Sequence, residues 1–381
     1  MTVTALRAML DRYVEDGRVP GAVALVARGD DVEAVAVGHR HAGGAQPMTR
    51  DSLFRIASLT KPVTAAAVLT LVDEGRIAPA DPVARWLPEL AEPVVVRTPA
   101  AAVDDVVPAA RPITVEDLLS SRTGWGFPSD FTLPAVTALF EVQKDGRAPR
   151  SYPAPDDWLA ALARVPLLYQ PGEAWLYGTS SDLQGLLIAR VSGRTLPEFL
   201  AERIFEPLGM RDTAFAVPAA DRDRFTSYYR PGAGSVPELV DGPDGDWSRV
   251  PAFPSGQGGL VSTADDWLRF ARLLLAGGET RGRRLLSAAS VSRMTGDRLT
   301  ARQREIGRLF LAGQGWGYGG QVDIARTEPW NVPGRYGWVG GTGTTGHLVP
   351  ATGTVAVLLT QVAMADPTPT PLMRDFWRVT A

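Results

Sequence analysis

A serine and a lysine lie one helical turn apart in the stretch FRIASLTK at positions 54–61. Ser58 and Lys61 are three positions apart, so a helix would place both side chains on the same face. A serine hydroxyl becomes an effective nucleophile only when a nearby base removes its proton. A lysine amine acts as that base only when deprotonated, a state that burial or a neighbouring cation favours. The pair predicts acyl chemistry through a covalent intermediate on Ser58, whose backbone N–H at the helix start can donate to a developing oxyanion.

The use of lysine at position 61 strengthens this interpretation. Of the 39 basic residues only Lys61 and Lys144 are lysines, and arginine fills the other positions. Arginine cannot be deprotonated in a protein, whereas lysine can. A lysine inside an apolar helix of an arginine-rich chain therefore indicates proton chemistry rather than a solvated charge.

The N-terminal part of the sequence predicts a helix, a β-hairpin and the helix that carries the serine. Residues Met1 to Gly17 form an amphipathic helical pattern. The β-branched runs Gly21 to Arg28 and Val32 to Gly38 are separated by the turn residues Gly-Asp-Asp, which predicts a hairpin. Residues Ser58 to Glu74 are apolar along most of their length and end at Gly75, as in a helix buried all round.

The middle of the chain, residues 76–254, predicts a mainly helical lobe. The expected helices are Val115 to Leu119, Asp156 to Leu162, Ser181 to Val191 and Leu196 to Ile204. The stretches Glu92 to Pro112 and Arg230 to Pro254 are rich in proline, glycine and small residues. We expect them to be long surface connections of the kind that often border an active site.

The C-terminal part returns to the pattern of the beginning. A helix is expected from Ala264 to Leu275 and strands at Thr344 to Val349 and Thr354 to Gln361. The sequence therefore predicts an α/β (α+β) fold in which residues 1–75 and 255–381 build one discontinuous domain. This domain would be an antiparallel sheet flanked by helices, with the helical lobe between its two halves and the site at their junction.

Composition excludes several classes of protein. The net charge is −3, and the 39 basic and 42 acidic residues are spread along the chain without a basic stripe, so we expect no nucleic-acid partner. The absence of cysteine excludes a disulfide frame, a thiolate nucleophile and a thiolate metal site. No signal-peptide pattern and no apolar run of about 20 residues occur, which predicts a cytoplasmic protein without a membrane span. The oligomeric state is not readable from the sequence.

Four further stretches accompany the serine motif in a fixed order along the chain. They are ITVEDLL at 113–119, QPGE at 170–173, IFEPLGMRDT at 204–213 and GGLVSTAD at 258–265. With FRIASLTK they resemble the serine β-lactamase and penicillin-binding superfamily, which has the β-lactamase/transpeptidase-like fold. The similarity is greatest to the branch of class C β-lactamases and their esterase relatives, the family VIII carboxylesterases. It covers nearly the whole chain.

The resemblance implies a second catalytic element, a Tyr-x-Asn motif whose tyrosine acts in proton transfer beside the serine. Tyr177 and Thr179 occupy its positions here. A phenol acts as a base only if cations stabilise the phenolate, and Lys61 is the candidate cation. Threonine in place of asparagine argues against a side-chain amide that binds substrate at that position. The stretch 175–185 is closer to the esterase relatives, and we expect Asp182 within it to be structural.

The third family element is a strand motif, Lys-Thr-Gly or His-x-Gly, which corresponds to Trp338, Val339 and Gly340. A cation at its first position helps β-lactamases and cell-wall peptidases to hold a substrate carboxylate, whereas the indole of Trp338 offers an apolar, stacking wall. The resemblance implies that the backbone N–H of Gly341 forms the other half of the oxyanion hole. Trp125 is the further candidate for substrate contact, and the tryptophans together favour an apolar or aromatic substrate group.

Other catalytic chemistries find little support in the sequence. The three histidines, His39, His41 and His347, accompany no Gly-x-Ser-x-Gly elbow, and we expect all three in surface loops. No His-Glu-x-x-His spacing or carboxylate cluster accompanies them, so no metal is predicted. Neither a Gly-x-Gly-x-x-Gly nor a P-loop pattern occurs at a strand-to-helix junction, so no cofactor is predicted.

The sequence thus predicts a serine hydrolase that acts on a small-molecule ester or a related acyl compound. Ser58 would attack the acyl carbon, Lys61 and Tyr177 would transfer its proton to the leaving group, and the Ser58 and Gly341 amides would hold the oxyanion. A β-lactamase or D-amino-acid peptidase or amidase is the first alternative, and Trp338 argues against it. An acyltransferase would use the same acyl-enzyme. A catalytically silent sensor is a further alternative, which the intact catalytic residues argue against.

Overall fold

The computed structural model describes residues 3–144, 147–232 and 236–381. The helices are α1 (Val3–Glu15), α2 (Thr60–Asp73), α3 (Val115–Leu119), α4 (Pro134–Val142), α5 (Pro155–Leu162), α6 (Thr179–Ser192), α7 (Leu196–Leu200), α8 (Glu206–Leu208), α9 (Ala264–Leu275), α10 (Ala288–Thr295), α11 (Ala301–Ile306), α12 (Arg308–Leu311) and α13 (Pro371–Thr380). Within the described ranges, no helix has the length and apolarity needed to cross a membrane.

The strands fall into one large sheet and several short pairs. They are β1 (Gly21–Arg28), β2 (Asp31–Gly38), β3 (Phe54–Arg55), β4 (Val94–Val96), β5 (Val106–Pro108), β6 (Tyr228–Arg230), β7 (Glu238–Asp241), β8 (Val261–Ser262), β9 (Glu279–Thr280), β10 (Arg283–Arg284), β11 (Gly315–Trp316), β12 (Gln321–Val322), β13 (Tyr336–Gly340), β14 (Thr344–Val349) and β15 (Thr354–Thr360).

A seven-stranded antiparallel sheet, ordered β11-β12-β13-β14-β15-β1-β2, joins the two ends of the chain. Strand β1 lies between β15 and β2, and Ala22 is opposite both Thr360 and Val37. Every residue of β1 except Arg28 is buried, as its continuous apolar sequence requires in a strand covered on both faces. The predicted hairpin and the predicted α/β fold class with an antiparallel sheet are both confirmed.

Helices cover the sheet on both faces. A Cβ placed on Gly346 of β14 would lie 2.7 Å from the Trp267 ring of α9. The next residue, His347, packs against Trp377 of α13, with ring centroids 5.3 Å apart. Successive strand residues point to opposite faces, so α9 and α13 lie on opposite sides. The prediction that His347 lies in a surface loop was wrong, because the residue is in a central strand under α13 and only 5% exposed.

The helical lobe packs against the sheet region through α2 and α6. The helices predicted in the lobe are present, although the last one passes from α7 into a π-helical turn at Ala201–Phe205. The first stretch predicted as a connection contains the paired strands β4 and β5, and the second contains β7, which pairs with β6 directly before it, because short β-branched or aromatic runs find a partner strand close by. One continuous apolar core includes side chains of both regions, and the division into two domains stays a prediction.

Candidate active site

Ser58 lies in a tight turn between β3 and α2. The short β3 pairs with β8, and the N–H of Ile56 donates to the carbonyl of Leu260 at 3.0 Å. Residues Ala57–Leu59 form a 3₁₀ turn, so the α-helix begins two residues later than predicted, at Thr60. Ala57 has a φ of 43°, a left-handed conformation that costs a non-glycine residue about 1–3 kcal/mol. The surrounding strands hold this strained turn, which presents the half-buried Ser58 to a cavity.

Lys61 is the buried partner of the serine. Its side chain is 1% exposed, and Nζ donates to Ser58 Oγ at 3.0 Å and to the Gln257 carbonyl at 2.8 Å. The ammonium group also lies over the Tyr177 ring, 4.6 Å from its centroid. The amine is therefore aimed at the serine oxygen by a main-chain acceptor and an aromatic face, within the distance needed for proton transfer.

Tyr177 approaches the serine from the helical lobe, directly before α6. Its Oη donates to Ser58 Oγ at 2.8 Å and accepts from Trp338 Nε1 at 2.9 Å. Trp338 belongs to β13 and is 3% exposed. We expected Trp338 to be an apolar wall, and the structure shows in addition that its indole N–H is a hydrogen-bond donor to Tyr177. A donor at this oxygen stabilises negative charge on it, which is what a tyrosine needs to accept the serine proton.

The two glycines after Trp338 have different positions. Gly340 lies against the turn that carries Ser58, and a Cβ there would be 2.4 Å from the Ile56 carbonyl oxygen, so only glycine allows β13 to approach so closely. Gly340 does not line the cavity. Gly341 does, together with Ser58 and Trp338.

A cavity of about 330 Å³ opens above the serine. Ser58, Tyr177, Trp338 and Gly341 line it, with Lys61 buried beneath them. The structure does not bring the other two candidates to this cavity. Thr179 is fully buried in the first turn of α6, and Trp125 is 2% exposed, with Nε1 donating to the Val165 carbonyl at 2.8 Å.

A buried hydrogen-bond network around Asp182 lies behind Lys61. The carboxylate accepts from Ser255 Oγ at 2.7 Å, from Gln143 Nε2 at 3.0 Å, and from Gln257 through its backbone N–H at 3.2 Å and its Nε2 at 2.8 Å. Burial raises the pKa of Asp182, whereas the hydrogen bonds from Ser255 and Gln143 and the charge of Lys61 lower it. Asp182 thereby holds Gln257, whose carbonyl accepts from Lys61. A carboxylate within the apolar helix α6 was the sequence signal for this network. Nothing in the neighbouring sequence connected Asp182 with Gln257 or Gln143.

The histidines lie elsewhere. His39 is exposed, and His41 Nδ1 lies 2.7 Å from Ser227 Oγ. His347 Nδ1 lies 3.0 Å from Thr345 Oγ1, and burial, with the charge of Arg335, holds the pKa of His347 well below its usual value. Within the described residues, no three histidine or carboxylate side chains are grouped so that they could bind a metal ion.

Comparison with known proteins shows the family of this chain. The β-lactamase family model matches residues 6–370. Protein Rv1367c of Mycobacterium tuberculosis (strain ATCC 25618 / H37Rv) is 37% identical over 371 residues, which cover 95% of this chain and 90% of that protein. Esterase EstB of Burkholderia gladioli is 34% identical over 284 residues, 69% of this chain and 68% of its own length. The chain belongs to the β-lactamase family.

One solved structure similar to this β-lactamase-family protein is a hydrolase. EstCE1, a hydrolase with promiscuous acyltransferase activity, superposes with a TM-score of 0.80 at 25% identity, covering 99% of this chain and 98% of its own. With the match to EstB, this confirms the resemblance that the sequence motifs indicated. The chain is a β-lactamase-fold protein related to esterases and to a hydrolase that also transfers acyl groups.

Two cations at the cavity of this β-lactamase-family protein were not predicted. Lys144 and Arg147 both line it, close in sequence to α4. Lys144 Nζ donates to the Glu141 carbonyl at 2.7 Å. A Cβ placed on Gly341 would lie 3.5 Å from Arg147 Cδ, so the arginine side chain lies beside the glycine that is expected to supply half of the oxyanion hole. The rarity of lysine could have drawn attention to Lys144, but only the fold brings this segment to the serine.

Proposed function

We propose that this protein is a serine hydrolase that cleaves carboxylic esters through an acyl-enzyme on Ser58. The observation that carries the proposal is the double contact of Ser58 Oγ, which lies 3.0 Å from Lys61 Nζ and 2.8 Å from Tyr177 Oη. A hydroxyl between a buried amine and a phenol has one neighbour that can accept its proton and another that can transfer a proton to the leaving group.

The reaction proceeds in two halves. Ser58 Oγ bonds to the acyl carbon while its proton passes to Tyr177 or Lys61, and the backbone N–H groups of Ser58 and Gly341 hold the resulting oxyanion. The bond to the leaving oxygen then breaks, and that oxygen takes the proton as the alcohol departs. Water attacks the acyl-enzyme in the same way and releases the carboxylic acid and the free serine.

Trp338 supports esters as the substrates. It stands where β-lactamases and cell-wall peptidases carry a cation, and its indole is already used by Tyr177. A substrate carboxylate beside it would lose hydration without gaining a charged partner there. The similarity to esterase EstB, which carries that activity in its name, points in the same direction.

Lys144 and Arg147 favour a second candidate, the cleavage of β-lactams or D-amino-acid amides. These cations line the same cavity and offer positive charge to a substrate carboxylate in place of the missing strand cation. The relation to EstCE1 adds acyl transfer to an alcohol or amine as a further outcome of the same acyl-enzyme.

The nucleophile is tested by labelling. A fluorophosphonate probe followed by peptide mass spectrometry should place the adduct on Ser58, and Ser58→Ala should neither bind the probe nor hydrolyse p-nitrophenyl acetate. An adduct on another serine, with Ser58→Ala still active, would overturn the proposal.

The substrate class is tested by a panel of p-nitrophenyl esters, nitrocefin and D-alanine p-nitroanilide. We expect the wild type to prefer the esters, with nitrocefin turnover increasing only in Trp338→Lys, where the strand cation is restored. Efficient nitrocefin turnover by the wild type would select the second candidate instead. Addition of an alcohol acceptor, with ester products followed by chromatography, separates acyl transfer from hydrolysis.

A further inference from the structure

A second cavity, of about 300 Å³, adjoins the one above Ser58. Four residues, Phe310, Trp338, Val339 and Pro367, line both cavities and so form a shared wall. The rest of its lining comes from α12, from β12, from the segment before β13, and from α13 with the segment that leads into it. The chemistry proposed for Ser58 does not use this space.

The second cavity is suited to an apolar group. Trp330 and Trp377, with ring centroids 5.7 Å apart, add to the rings of the shared wall. The amide side chains around it are already hydrogen-bonded within the protein and Arg335 pairs with Asp323, while Arg374 adds a positive charge to the lining. Gln314 Nε2 donates to Thr327 Oγ1 at 2.8 Å, and its Oε1 accepts from the N–H of Ile324. Since these amides gain nothing from a polar ligand, burial of apolar surface against the aromatic rings is the main contribution that the cavity can make to binding.

Its position relative to Tyr177 indicates which part of a substrate it would take. The shared wall is in contact with Tyr177, because Phe310 stacks on the Tyr177 ring at 4.6 Å between centroids and Trp338 donates to Tyr177 Oη. In the proposed reaction, Tyr177 is placed to return the proton to the leaving oxygen. The leaving alcohol must therefore be on the Tyr177 side of the acyl carbon, next to this wall.

We propose that the second cavity binds the alcohol portion of the ester, so that the preferred substrates are esters of long, mainly apolar alcohols. This inference rests on the proposed function. The alcohol passes between Phe310 and Pro367, the two wall residues that are only partly buried, while the buried Trp338 and Val339 form the floor. The acyl group remains in the cavity above Ser58.

The test compares two substrate series, ethyl and hexyl acetate for the alcohol side and p-nitrophenyl acetate and hexanoate for the acyl side. Leu309→Trp fills the second cavity, since Leu309 lines that cavity and not the first. We expect it to lower the hexyl-to-ethyl ratio of kcat/KM at least about tenfold, because each methylene returned to water costs about fourfold in binding. The p-nitrophenyl hexanoate-to-acetate ratio should stay unchanged. Leu285→Trp, at a half-buried leucine that lines neither cavity, is the control and should keep both ratios.

Each outcome either supports or overturns the assignment of the second cavity to the alcohol portion of the ester. An unchanged hexyl-to-ethyl ratio in Leu309→Trp would overturn it, and a fall in the acyl ratio instead would assign the cavity to the acyl group. If Leu309→Trp does not fold, Arg374→Trp fills the same cavity from α13, where the Arg374 side chain makes no hydrogen bond or ion pair with the described residues. Failure of the proposed function is distinguishable, because the wild type would then hydrolyse neither series and Ser58 would not be labelled.

Discussion

Ser58 accepts hydrogen bonds from two side chains, so its reactivity depends on how the proton is shared between Lys61 and Tyr177. Both donate to the same oxygen in the structure, and in the proposed reaction one of them must become the acceptor when Ser58 attacks. The indole of Trp338 and the ammonium of Lys61 both stabilise negative charge on Tyr177. Lys61 in turn has the Gln257 carbonyl as a fixed acceptor, which orients its remaining protons.

We expect the Lys61→Arg variant to be almost as inactive as the Lys61→Ala variant. The role needs a removable proton, and guanidinium keeps its protons at any working pH. Lys61→Arg and Lys61→Ala should each lose at least about 10²-fold in kcat for p-nitrophenyl acetate, as is typical when a general base is removed. If Lys61→Arg kept most of the activity, the lysine would act through its charge alone.

Asp182 is expected to set an acid limit on activity. Its carboxylate accepts four hydrogen bonds and fixes Gln257, so protonation or amidation weakens the support of Lys61. Because burial raises the pKa of Asp182, we expect kcat to fall as the pH drops toward a value above the ordinary aspartate range. Asp182→Asn should lower kcat about tenfold or more and lack this acid limb.

The matched control for Asp182 is Asp73→Asn. Asp73 also accepts several hydrogen bonds, from Ser287 and Ser290, but at the far end of α2. The Asp73→Asn variant should leave the pH profile of kcat unchanged. An Asp182→Asn enzyme with the wild-type acid limb would assign that limb to another group.

At the scale of elements, the position of Ser58, the proposed nucleophile, depends on a strand of two residues. Strand β3 is short, and Arg55 anchors it to the segment 225–247. The buried guanidinium donates to Asp241 at 2.5 Å and to the Thr226 carbonyl at 2.6 Å, and it lies over the Phe225 ring at 4.0 Å. Arg55 precedes Ser58 by three residues, so this ion pair helps to fix where the turn of the serine begins.

We expect Asp241→Asn to destabilise the protein by about 3 kcal/mol, because it leaves the charge of Arg55 buried without its partner. The midpoint of urea unfolding should fall accordingly. Glu238→Gln is the control in the same β6–β7 pair, where Arg230 and Glu238 are both exposed and their ion pair contributes about 1 kcal/mol or less. Equal losses in the two variants would contradict the role of burial.

At the scale of the whole molecule, the two ends of the chain pack against each other. Strand β1 pairs with β15, and Tyr13 of α1 donates to Asp375 of α13 at 2.7 Å. His347 belongs to β14 and is covered by α13, where Trp377 packs against its ring. Folding therefore moves an ionisable ring from water into the interior, which makes the stability of the whole fold depend on pH.

The sign of that dependence follows from His347. Its pKa in the folded protein lies well below the usual value near 6.5, so below about pH 6.5 the unfolded chain binds a proton that the folded one does not. The free energy of unfolding should therefore fall as the pH drops below 6.5, by up to about 1.4 kcal/mol per pH unit, until the folded pKa is reached. Above pH 7, His347 adds no pH dependence.

His347→Gln should reduce this slope, measured by urea unfolding between pH 7 and pH 5. The control is His39→Gln, a substitution at an exposed histidine, which should keep the wild-type slope. A His347→Gln protein with unchanged pH dependence would show that other groups account for it.

The sequence by itself determined the local elements and the serine-lysine pair. The hairpin at 21–38 and the helices Val115–Leu119 and Ala264–Leu275 were predicted within one residue of their bounds. Periodicity, turn residues and capping act over a few neighbours, so they are readable without the fold. The spacing of Ser58 and Lys61 is local in the same sense, and the contact between them is observed.

Only the tertiary structure decided the rest of the site. Gln257 meets Lys61, and Trp338 meets Tyr177, across nearly 200 and more than 150 residues of chain. Arg147 reaches Gly341, and His347 is buried, because of how the lobe and α13 pack against the sheet. Such contacts depend on the relative placement of whole elements, which forms only when distant apolar faces are buried together, and a window of sequence carries no information about it.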